Sequence, residues 1–126
     1  MSAISSRASS GSPFEEPIGF SRAVRVGDRV LVSGTGPVGA DDADVYAQAK
    51  RCFEIIAGAL RQLGATPHDV VRTRMFITDA SYGDDVGRAH GEIFGSVKPA
   101  ATMVVVAGLL DPRWKVEIEA EAVSPS

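Results

Sequence analysis

At 126 residues the chain has the length of one ordinary domain, enough to bury roughly two-thirds of its unfolded surface without a disulfide or metal staple. Its 44% hydrophobic and 23% charged residues suit a globular fold, and a net charge of −3 offers no field to phosphate backbones, which argues against non-specific nucleic-acid binding. A single cysteine, Cys52, excludes an internal disulfide; no apolar run approaches the roughly 20 residues of a membrane span, and the first residues lack the apolar core of a secretory signal, so a cytoplasmic protein with no membrane partner is expected.

Residues 1–13 are rich in Ser, Ala and Gly, bury little, and are expected to form a flexible tail ahead of one domain spanning 14–126. From Phe20 the pattern turns β. Val24 and Val26 alternate with Ala23 and Arg25, and Val30-Leu31-Val32 follows after Gly27-Asp28, a Gly-first loop suited to a type II′ hairpin turn. Past a turn-rich stretch, Asp41, Asp42 and Asp44 offer helix caps. Val45, Ala49, Cys52, Phe53, Ile56, Leu60 and Leu63 then recur at helical spacing, and Gly64 and Pro67 stop the helix. Val70–Ile77 reads as a strand.

Asp84 is placed to cap a second helix ending at Gly95, with Gly87 and Gly91 expected to let its backbone approach a neighbour closely. Thr102–Ala107 is apolar without alternation, the pattern of a strand covered on both faces. The last strand alternates: Trp114, Val116, Ile118, Ala120 and Ala122 on one side, Lys115, Glu117, Glu119 and Glu121 on the other. The order is ββαβαββ, an α+β fold with two helices on one face of a sheet. The other face carries Arg72, Arg74 and Phe76 beside the three glutamates.

Several segments could carry chemistry. Gly34-Thr35-Gly36-Pro37-Val38-Gly39 matches G-x-G-x-x-G, but Asp41, Asp42 and Asp44 at the following helix start would repel a pyrophosphate and Pro37 removes a donor, so these are read as turn glycines. A small ligand could still reach backbone amides near Ser33 and Gly34. Glu117, Glu119 and Glu121 could supply a general acid or base; the alternative is a strand face paired with Arg72 and Arg74. Cys52 lies on the apolar stripe and is read as packing. With His68 and His90 it lacks metal-ligand spacing, so neither metal nor cofactor is expected.

The segments Val26-Gly27-Asp28, Leu31-Val32-Ser33-Gly34, Val70–Asp79, Pro99-Ala100 and Val116-Glu117-Ile118-Glu119-Ala120, in this order, resemble the RidA/YjgF family, the reactive intermediate deaminases, also called the L-PSP endoribonuclease family. The resemblance runs from about Ile18 to Val123. It implies a chorismate-mutase-like fold, a homotrimer with a small pocket at each subunit interface, and cofactor-free hydrolysis of 2-imino acids to 2-oxo acids and ammonia. Residue by residue, it implies that Glu117 helps place the attacking water and that Gly34, beside Ser33, lines the pocket. Ser21, with Phe20 beside it, aligns with a pocket tyrosine.

In active deaminases Pro-Ala is followed by an arginine that clamps the substrate carboxylate. Here Ala101 follows, and Thr102 keeps the next hydroxyl position. A guanidinium–carboxylate fork makes two charge-assisted hydrogen bonds of about 1.5–3 kcal/mol each, so its loss costs on the order of hundreds-fold in a step that needs it. Lys98 and Arg113 are the nearby cations in sequence that could replace it. The reading is a hydrolase or deaminase of a small imine- or enamine-type metabolite, with 2-imino acid activity weak or absent. The alternative is a non-catalytic metabolite- or partner-binding module. An RNA-acting role is disfavoured by the acidic balance and 6% aromatic content.

Overall fold

The computed structural model describes residues 2–125. Its strands are β1 (Ser6–Ala8), β2 (Ala23–Val26), β3 (Arg29–Thr35), β4 (Val70–Ile77), β5 (Ala100–Val105) and β6 (Val116–Val123); its helices are α1 (Glu15–Ile18), α2 (Val45–Gln62) and α3 (Gly83–Phe94). The strands make one mixed sheet in the order β1-β2-β3-β6-β4-β5, antiparallel except for the β4–β5 pair. The fold is α+β, as the sequence pattern implies.

The β2–β3 hairpin turns on Gly27, whose φ of 59° beside a negative φ at Asp28 is what a type II′ turn requires. Asp44 caps α2 by accepting the Ala47 N–H at 2.8 Å. The stripe Ala49, Cys52, Phe53, Ile56 and Leu60 is buried between α2 and the sheet, meeting Val116, Ile118, Ala120 and Ala122 of β6. Burying a side chain such as Ile56 or Leu60 contributes about 1.5–3 kcal/mol. α3 packs beside α2, and His90 joins it to β4 through a 2.8 Å hydrogen bond with Thr73 Oγ1, flanked by Phe53 and Phe94.

The opposite face is charged, as its alternation implies. Arg72, Arg74 and Phe76 stand across from Glu121, Glu119 and Glu117. Arg74 reaches Glu119 at 3.4 Å and Glu121 at 3.8 Å, and Arg29 reaches Glu121 at 3.3 Å. A second tie is internal: the buried Arg25 donates to the carbonyls of Leu63, Gly27 and Ser124.

Five details differ from the sequence reading, the first being the short helix α1, which the expected ββαβαββ order with two helices did not include. The segment expected to be a loose tail carries β1, whose Ser6, Arg7 and Ala8 pair with Arg25, Val24 and Ala23; its anchor is backbone hydrogen bonding to the edge of β2, with only Ala8 buried. β5 is an edge strand, paired with β4 alone, rather than a strand covered on both faces: Val104 and Val105 are 41% and 56% exposed. Gly87 and Gly91 face open space: a Cβ added at either would meet nothing within 4 Å. Asp84 lies in the first turn of α3, favourable to the helix dipole, while Tyr82 holds the cap position without a side-chain bond.

Candidate functional site

The site grows from an irregularity in β3. Val32 pairs with Ala120 and Thr35 with Ile118, so Ser33 and Gly34 stand opposite the single residue Glu119. Such a bulge re-aims the strand. Ser33 is fixed by its amide donating to the Arg22 carbonyl at 2.9 Å and its hydroxyl donating to the Ser21 carbonyl at 2.7 Å. Gly34 lies directly against Glu117: a Cβ there would collide with Glu117 Oε2 and stand 3.2 Å from its Cδ. The glycine therefore gives the carboxyl its space.

Buried Gln48 builds the neighbouring wall. Its amide nitrogen donates to the carbonyls of Asp41, Ala43 and Arg113, and its oxygen accepts the Lys115 N–H at 2.8 Å. That pins the indole of Trp114, whose N–H donates to Asp41 at 2.7 Å and whose ring lies over Gly36. Phe14, just ahead of α1, meets Trp114 edge-on at 6.4 Å. The result is a cavity of about 300 Å³ with Phe14, Ile18, Phe20 and Trp114 as apolar walls and Arg22, Ser33, Gly34, Glu117 and Glu119 as its polar groups.

Electrostatics single out Glu117. Burial raises its pKa; the nearby Arg22 guanidinium opposes that, and Glu119 reinforces it. A carboxyl held above its ordinary range can both take and return a proton closer to neutral pH. Burial also pushes the Cys52 thiol well up, so that thiol is inert packing. Among the described residues no three His, Cys, Asp or Glu side chains gather as a metal site.

Of the residues proposed from sequence, Phe20, Ser33, Gly34 and Glu117 meet at this cavity. Ser21 is absent from its lining and acts through its carbonyl on Ser33; of the Phe20-Ser21 pair, it is Phe20 that lines the cavity. Ala101 and Thr102 pair with Thr73 and Arg74, beyond β4 from Glu117, and are exposed. Within one chain they do not reach the cavity. Lys98 is exposed at the end of α3 with φ 53°, and Arg113 is engaged by Asp111 at 2.7 Å and by Asp41 and Asp42. The sequence reading passed over Arg22, Phe14 and Trp114. The available signal for Arg22 was an arginine immediately after the aromatic–serine pair.

The sequence profile of the Endoribonuclease L-PSP family matches residues 14–124. The chain belongs to that family, the RidA/YjgF family. An uncharacterized protein of Streptomyces coelicolor is 43% identical to it over 120 residues, covering 92% of this chain and 90% of that one. A RutC family protein of Pyrococcus abyssi is 33% identical, covering 86% and 88%. The crystal structure of a Mycobacterium tuberculosis member of the YjgF/YER057c/UK114 family superposes with a TM-score of 0.88 at 46% identity, over 94% of this chain and 98% of that one. RidA of an Antarctic Psychrobacter superposes with a TM-score of 0.80 at 26% identity, over 98% and 99%. The RidA/YjgF fold is thus present along nearly the whole chain, and membership supports a small-molecule-binding role.

Proposed function

We propose that this RidA/YjgF protein is a cofactor-independent hydrolase or deaminase of a small reactive metabolite of the imine or enamine type. The observation that carries the reading is Glu117: a carboxyl of raised pKa, set against Gly34 in an apolar-walled cavity, suited to orient and deprotonate a water. Water adds to the C=N carbon as Glu117 takes one of its protons and returns it to nitrogen; the resulting carbinolamine then gives up its hydroxyl proton through Glu117 to the nitrogen as the C–N bond breaks, releasing ammonia and leaving a carbonyl. The working form in this reading is a cytoplasmic homotrimer. Its support is the exposed apolar β5 edge and the place of Ala101 and Thr102, beyond β4 from Glu117 within one chain.

Ala101 offers a methyl group where the family's deaminases hold an arginine, so 2-iminopropanoate and 2-iminobutanoate are poor substrates in this reading. The test is ammonia and carbonyl release from imines generated in situ, with and without a carboxylate, for the wild type and Glu117→Gln. Turnover lost in the variant supports the proposal, and turnover indifferent to Glu117 overturns it. The missing clamp also favours a second reading, a non-catalytic metabolite-binding module, in which Glu117→Gln changes affinity and no substrate turns over.

A further inference from the structure

Behind the pocket lies a smaller cavity of about 40 Å³, lined by Ser10, Ser12, Arg22, Thr35 and Arg51. It shares Ser12, Arg22 and Val38 with the larger cavity, so the two are neighbours across the Arg22 side chain. No carboxylate belongs to its lining. The volume suits on the order of three waters or the head of one oxyanion.

Arg22 is only 5% exposed. Its Nε donates to Ser10 Oγ at 3.2 Å and its Nη1 to the Gly34 carbonyl at 2.6 Å and Thr35 Oγ1 at 3.1 Å; Nη2 has no partner among the described residues. Arg51 donates through Nε to the Val38 carbonyl at 2.8 Å, and its terminal nitrogens have no acceptor among the described residues. Neither guanidinium is in an ion pair among the described residues. Glu15, the carboxylate of the overlying segment, is engaged by the Ser10 and Ser12 amides and the Ser10 hydroxyl. The hydrogen bonds of Arg22 go only to neutral acceptors, while Glu15 and Glu117 act on it through space without bonding to it, so its free Nη2 can still give a charge-assisted bond to an oxyanion.

We propose that this cavity is an anion subsite of the pocket. The ligand carries a carboxylate or phosphate-type group held by Arg22 and Arg51, and an apolar body against Phe20 and Trp114. The inference rests on the pocket assignment above. It moves the anion contact from position 101 on β5 to the β3 side of Glu117, so the ligand presents its anion in a different direction from a 2-imino acid clamped at position 101.

Titration calorimetry on the full chain with inorganic phosphate, acetate and phenylacetate tests it. The expected result is saturable phosphate binding, weakened about tenfold or more in Arg51→Gln and largely kept in Arg51→Lys. Phenylacetate is expected to bind at least about tenfold more tightly than acetate, with that advantage reduced in Phe20→Ala. Equal affinity for the two carboxylates would overturn the link between the anion and the pocket's ligand. Absence of binding by all three probes, or phosphate binding unchanged in a folded Arg51→Gln, would overturn the subsite itself. Phosphate binding is expected to survive Glu117→Gln, so failure of the catalytic reading and failure of the anion subsite give separate results.

Discussion

At the scale of single residues, the site is a matter of side-chain room and charge. Gly34 and Gly36 look alike in sequence, yet they guard different neighbours. A methyl at Gly34 meets the end of the Glu117 side chain, which can swing away; a methyl at Gly36 meets the fixed face of the Trp114 indole, 2.6 Å from Cη2. We therefore expect Gly34→Ala to fold with little change in melting temperature while losing pocket function. Gly36→Ala should cost about 1–3 kcal/mol from overpacking, checked by urea unfolding. Glu117 carries a further consequence. Its pKa is raised on folding, so the folded protein binds a proton more tightly there than the unfolded chain. Its contribution to stability is greatest below the ordinary carboxylate pKa and falls as pH rises through the folded value. Glu117→Gln removes that cost, and we expect the variant to be at least as stable as wild type at neutral pH while losing function; a clear loss of stability there would contradict the assigned direction. Glu117 and Gly34 were legible in sequence because they sit in ordered strand patterns. Arg22 was marked only by its place after the Phe20-Ser21 pair, a signal that does not say that an arginine before a strand is buried between two cavities.

Among the elements, those with strong periodicity were read correctly and those held by backbone alone were not. β6 announces itself by strict alternation and α2 by its stripe and Asp44 cap. β1 has three residues and no pattern; its place is set by the free edge of β2, which only the assembled sheet provides. β5 is misleading for the opposite reason: its apolar run suggests cover that a single chain does not supply. The α3–β4 contact gives a pH dependence at this scale. His90 is partly buried against Phe53 and Phe94 and bonded to Thr73, and burial lowers its pKa below the ordinary 6.5. Below that ordinary value the unfolded chain takes up a proton that the folded one resists. Stability from this residue is thus complete above about pH 6.5 and lost as pH falls toward the folded value. We expect amide exchange in α3 to accelerate as pH is lowered through that window, after correction for intrinsic rates, and His90→Asn to flatten the response.

At the scale of the whole molecule, position 101 joins fold to function. Glu117 and Ala101 lie on strands separated by β4, so an arginine at 101 can serve a pocket only if a second copy brings its β5 there. Ala101 and Thr102 are exposed in the single chain, so Ala101→Arg meets no crowding within its own subunit, and we expect the variant to keep the wild-type fold. If the homotrimer forms as proposed, sedimentation equilibrium gives a trimer for both proteins, and the new guanidinium faces the neighbouring pocket beside Gly34 and Glu117. A bidentate hold on a substrate carboxylate would then make 2-iminopropanoate hydrolysis measurable, by a factor on the order of hundreds over wild type. Adding Glu117→Gln to that background should remove the gain. A monomer in sedimentation would refute the assembly on which the argument depends. A trimeric, folded Ala101→Arg protein without imine hydrolysis would show that more than the clamp has diverged, and the binding-module reading would then take precedence over the enzyme.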